Sequence, residues 1–135
     1  MTGLTRQQAA KAVANLFGTS ARRTFESTIY DPWEVIDREG KRWRFVFDSS
    51  IKATKRIHGH QVPVDIGLYK VEMNSPKLEY SEMGKLQEVV RALRHAGAVV
   101  NGSCGMHVHV DASHHTPQSL KNALSIMYSK EDILF

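Results

Sequence analysis

Cysteine is almost missing from the chain: Cys104 is the only one in 135 residues. An internal disulfide is therefore excluded, and a reducing, cytoplasmic compartment is the simplest expectation. Long apolar runs are missing too. No stretch approaches the roughly 20 residues that cross a bilayer, so no membrane helix is expected. The opening segment is no secretory leader, because Arg6, Gln7, Gln8, Lys11 and Asn15 interrupt its apolar positions. There is no internal repeat and no low-complexity tract. A clustered basic stripe is also lacking. The formal charge of +4 is spread along the chain. Its densest basic group, "REGKRWR", reads as a hairpin turn with its flanks, so nucleic acid is not an expected partner. The mild basic excess would suit a small anion such as a nucleotide.

What is present is an ordinary globular composition, 41% hydrophobic and 24% charged. The length allows one domain, residues 1–135, with a usable core and no covalent staples. The stretch "LTRQQAAKAVANLFG" reads as a helix. Thr5 is its N-cap, Gln8 completes a capping box, and Gly18 stops it. Ala9, Val13, Leu16 and Phe17 form its apolar side. Strands are expected at 24–30, 33–37 and 41–48, the last two joined by a tight turn at "DREG". In 41–48, Trp43, Phe45 and Phe47 share one face.

Residues 52–67 carry Gly and Pro breaks and read as a loop. A strand at 68–74 puts Tyr69, Val71 and Met73 on one face and Lys70, Glu72 and Asn74 on the other. Pro76 ends it. A helix at 78–97 carries the stripe Leu86, Val89, Val90 and Leu93 and closes at Gly97. Short strands at 98–100 and 106–111 flank the bend "NGSCG". A last helix, 116–135, has Thr116 as cap and Leu120, Leu124, Met127 and Leu134 on its buried side. The order implies an α+β fold, with a mostly antiparallel sheet and helices packed on one face.

The run "CGMHVHVD" poses the functional question. His107 and His109 would share one strand face, roughly 6 to 7 Å apart. A solvated antiparallel face explains such a pattern without any ligand. Yet Asp48, Ser50 and Glu72 also lie on strand faces opposite bulky apolar residues. Carboxylates meeting imidazoles suit a divalent cation and phosphates. Cys104 with His107 and His109 could instead begin a zinc set, but no second cysteine pair exists to complete it. His58, His60, His95, His114 and His115 suggest no chemistry.

Together, "WRFVFDSSI", "VEMNSPKL" and "NGSCGMHVHVDA", in this order and with a helix between the last two, resemble the amidoligase family. Members of that family are similar in fold to glutamine synthetase and glutamate–cysteine ligase. The run "GMHVH" also looks like the Gly-x-His-x-His strand of glutamine synthetase. The resemblance implies a carboxylate–amine ligase dependent on ATP and Mg²⁺, working through an acyl phosphate. By position it implies Glu72 and His107 at the metal, and His107, His109, Asp48 and Ser50 at the ATP phosphates. The catalytic residues themselves stay unassigned. Expected substrates are small-molecule or peptide carboxylates and amines; no membrane partner is implied. Family members open with a strand bearing two glutamates one residue apart, whereas this chain opens on "MTGLTRQQAA". The expectation is therefore a fragment of a longer ligase domain, lacking the first strand and the C-terminal part, with an unpaired sheet edge open to self-association and with activity in question. Two other readings stand beside it. One is a metal-dependent hydrolase using the His-x-His strand. The other is a non-catalytic interaction module.

Overall fold

A computed structural model describes residues 1–25 and 30–134, with the Leu134 side chain outside that set. It separates into two compact units, residues 1–105 and 106–135.

The first unit is an α+β layer. Helix α1 (Arg6–Phe17) has the expected ends. Thr5 Oγ1 accepts from the Gln8 amide at 3.2 Å, and Gln8 Oε1 accepts from the Thr5 amide at 2.8 Å. Gly18 closes it in the left-handed region at φ 65°. Four strands follow in one sheet: β1 (Ala21–Arg23), β2 (Trp33–Ile36), β3 (Arg42–Phe47) and, later in the chain, β6 (Val71–Asn74). Their order is β1-β2-β3-β6, antiparallel at every pairing. Alternation along the strands sends Val35, Trp43, Phe45 and Val71 to the face that meets α1. Ala9, Ala10, Val13 and Ala14 line the facing side of α1, and their small side chains let it lie close to the sheet. Phe17 stacks obliquely on Trp43, ring centroids 5.6 Å apart, a contact type that adds about 1 kcal/mol beyond area burial. Helix α2 (Met83–His95) buries Val89 and Leu93 in the same core.

Two carboxylates pin the turns, Asp37 buried and Asp31 half-buried. Asp37 heads the β2–β3 turn. Its Oδ1 accepts from the Glu39 and Lys41 amides, at 3.0 and 2.9 Å, and its Oδ2 from the Trp43 indole at 3.2 Å and Lys85 Nζ at 3.4 Å. Burial pushes the Asp37 carboxyl up, but these hydrogen bonds and the Lys85 charge outweigh it and hold the pKa below the usual value. Asp31 accepts from Arg6 Nη2 at 2.7 Å and Arg23 Nε at 2.6 Å. Burial opposes ionisation there as well, and the two guanidiniums outweigh it. Arg6, itself buried, also donates to the carbonyls of Asp31, Gly67 and Lys70, tying α1 to the approach of β6.

Several expectations need correction. Residues 52–67 are not a loop. They form a hairpin, β4 (Thr54–Ile57) with β5 (His60–Pro63). His58 and Gly59 turn it, both at positive φ, 47° and 85°. That is the backbone a two-residue hairpin turn needs, with histidine where asparagine is common. The strand expected at 68–74 begins only at Val71, after a 3-10 turn at Gly67–Tyr69. The helix expected at 78–97 starts with a 3-10 turn, Tyr80–Glu82, and reaches α form at Met83. Leu16 and Val90, assigned to apolar stripes, are 39% and 51% exposed. Around 24–30, the strand lies earlier, at Ala21–Arg23, and residues 26–29 fall outside the described set. Residues 98–100 contribute a single bridge, Val99 with Thr2.

In the second unit, residues 106–111 form no strand. Alternation fixes which face a side chain would take, but a strand exists only through its ladder, and no ladder forms here among the described residues. Helix α3 (Pro117–Ser129) has its capping box, Thr116 with Ser119, and Pro117 in the first turn. It buries none of its residues; Leu120, Leu124 and Met127 are exposed. The helix also breaks at Lys130 before a last turn, Glu131–Leu134.

Candidate functional site

The sheet has one apolar face and one polar face. On the polar face, Arg22, Glu34, Arg44 and Asn74 form a row across all four strands. Glu34 is 1% exposed. Arg22 clasps its carboxylate from one side, and Arg42 Nε stands 3.3 Å from Oε2. A buried carboxylate is tolerated only with such partners. The sequence reading missed Glu34, because a glutamate between Trp33 and Val35 fits any half-solvated strand.

Glu72 lies on the same polar face, opposite Val46 on β3. It is exposed, and among the described residues its side chain makes no hydrogen bond or ion pair. Its carboxylate thus projects from a rigid ladder with both oxygens available to a ligand.

Asp48 and Ser50 follow the end of β3. Asp48 Oδ1 accepts from the Ser50 amide at 2.9 Å and from Ser50 Oγ at 2.7 Å, closing a tight turn. Ile51 and Ala53, both buried, anchor the turn from beyond. The turn is then stitched to the bend at 101–104. Ser103 Oγ accepts from the Lys52 amide at 2.8 Å, and Asn101 Nδ2 donates to the Lys52 carbonyl at 2.8 Å. Asn101 Oδ1 gathers the Ser103 amide and hydroxyl, at 3.0 and 2.5 Å, and the Cys104 thiol at 3.7 Å. The turn after β3 and the bend at 101–104 are therefore one hydrogen-bonded object, joined through Lys52. Cys104 is a partner in this knot, and its thiol is free of disulfide.

His107 and His109 belong to the second unit, both exposed. Asp111 Oδ1 accepts from the Ser113 amide at 2.9 Å, and His115 Nδ1 lies 3.0 Å from Ser119 Oγ. The predicted site residues thus divide between the units: Asp48, Ser50 and Glu72 in the first, His107 and His109 in the second. Among the described residues, no three His, Cys, Asp or Glu side chains gather to hold a metal ion. The donor chemistry that is present consists of hard carboxylate oxygens on the first unit and imidazoles on the second.

Comparison with known proteins supplies the decisive observation. The family model described as "Putative amidoligase enzyme" matches residues 1–135, the whole chain. The chain belongs to the amidoligase family. No curated protein and no solved structure matches the chain. Among the described residues, no helix of this amidoligase is long and apolar enough to cross a membrane.

Proposed function

We propose that this amidoligase is an ATP- and Mg²⁺-dependent carboxylate–amine ligase with a glutamine-synthetase-like catalytic fold. The observation that carries the proposal is Glu72, an exposed carboxylate without a partner among the described residues, fixed on the polar face of the sheet. Mg²⁺ is usually held by one or two carboxylates together with phosphate oxygens and water, so a dedicated protein cage is not required. Glu72 would hold the ion, with His107 as a further ligand. When bound, Mg²⁺ supplies charge neutralisation at the phosphate oxygens and alignment for in-line transfer.

In the proposed reaction, an oxygen of the acid substrate attacks the γ-phosphorus and ADP leaves. The amine nitrogen then attacks the acyl carbon, phosphate departs, and the nitrogen gives up a proton to complete the amide. His107 and His109 are assigned to the phosphates as hydrogen-bond donors. Asp48 and Ser50 are assigned to the nucleotide side as a rigid turn, with the Asp48 carboxylate holding the Ser50 hydroxyl in one orientation. The acid and amine would be small molecules or peptides. A reducing, cytoplasmic setting would keep the Cys104 thiol intact.

Titration calorimetry with Mg·ATP tests the reading. Binding should be lost in Glu72→Ala and weakened in His107→Ala, with circular dichroism unchanged in both. A chain that takes up no nucleotide, or a Glu72→Ala variant that binds as well as the parent, would overturn it.

A further inference from the structure

The β4–β5 hairpin stands apart from the site described above. The sixteen residues from Ser49 to Val64 contain no aspartate or glutamate, but carry Lys52, Lys55, Arg56, His58 and His60. Every residue of the hairpin from Lys55 to Pro63 is exposed. None of the ion pairs among the described residues involves Lys52, Lys55 or Arg56. The only charge-related contact of Lys55 that is resolved is with the Tyr69 ring, 5.9 Å from its Nζ.

The ribbon has open backbone as well as open charge. Among the described residues β5 pairs with β4 alone. A hairpin closed by a two-residue turn directs the hydrogen bonds of its closing pair, Ile57 and His60, inward. Alternation then turns the N–H and C=O of Gln61 toward the free edge. Lys55 and Val62 are cross-strand partners, as are Ile57 and His60, so one face mixes cations with aliphatic groups. Ile57 and Val62 are 40% and 37% exposed.

We infer that the β4–β5 hairpin docks an extended acidic peptide segment, which adds a strand along β5 with carboxylates at successive positions, directed toward Lys55 and His60 on one face and toward Arg56 on the other. Two features select this occupant. An open ladder edge is matched by another peptide backbone. The uncompensated positive charge is matched by carboxylates. Nucleic acid fits less well, because residues 52–64 contain no Phe, Trp or Tyr and the neighbouring Tyr69 ring is already met by Lys55. The inference stands on the hairpin and is independent of nucleotide binding.

The test is fluorescence anisotropy with the full chain and a labelled peptide with glutamates at successive positions. Saturable binding is expected, weakened about tenfold in the Lys55→Glu, Arg56→Glu double variant. In the unaltered chain, excess unlabelled peptide should displace the probe, and oligothymidylate of equal charge should not. The inference is overturned if no binding is seen, if the double variant binds as well as the parent, or if oligothymidylate displaces the peptide equally well. The competition arm needs no variant and so holds even if the double substitution disturbs folding.

Discussion

Asp37 shows how much one side chain can organise. It joins a turn, a core indole and a helix lysine through a single carboxylate. Replacing it with alanine leaves buried donors unpaired and should cost about 2–4 kcal/mol in urea unfolding. Its pKa is depressed in the folded state. The stability it contributes is therefore complete above the unfolded value, about 3.9, and is lost as pH falls through the lower folded value. The parent should lose stability on acidification below about pH 4 more steeply than Asp37→Asn, which has no carboxylate left to protonate. Equal slopes for the two proteins would place the acid sensitivity elsewhere. Glu72 and Glu34 make the opposite pair on the sheet's polar face. One is exposed and unengaged among the described residues, the other is buried and clasped by arginine. Strand alternation places both on that face, but only the folded structure tells the exposed carboxylate from the buried one.

At the scale of elements, the ends proved easiest to read. Thr5, Thr116, Gly18 and Gly97 act within one turn of themselves, so the sequence carries their signals whole. Two glycines separate the effects of conformation and space. At Gly18, φ is 65° and an added Cβ would meet the tip of Arg38, 2.8 Å from Nη2. At Gly3, φ is 87° and the Cβ would lie 2.6 Å from the Gly97 carbonyl oxygen, which is backbone. Gly18→Ala should cost about 1 kcal/mol, the left-handed penalty alone. Gly3→Ala should cost clearly more, measured by thermal unfolding, because the bridge between Thr2 and Val99 must open. The hairpin at 54–63 escaped the sequence reading because histidine takes the left-handed turn position at residue 58. The run at 106–111 was misread for a different reason: period-two alternation describes a face, and pairing depends on another segment. The knot at Asn101 was invisible because its partner, Lys52, is 49 residues away.

Over the whole molecule, order is unevenly distributed. The first unit holds the entire buried apolar cluster, and α3 in the second unit buries nothing. Local opening should follow that division. In native-state hydrogen exchange, amides of α1 and β3 should be the slowest, while those of 106–129 should exchange near the rate of an unstructured peptide. Strong protection of α3 would contradict this. The family motifs are legible in the sequence because each is short and contiguous, whereas the assignment of His107 and Glu72 to different units is a property of the folded chain alone. The Asn101 knot also bears on how the protein ages. Asn101 precedes Gly102, the pairing most prone to deamidation, since the glycine amide readily attacks the asparagine side chain. Here the side-chain amide that would be expelled is held by the Lys52 carbonyl, and the oxygen is held by Ser103 and Cys104. The bonds that join the two motifs thus also shield their most perishable residue. Should the shield fail, a carboxylate would replace the amide donor, and the stitch to Lys52 would be undone by chemistry, with no unfolding needed.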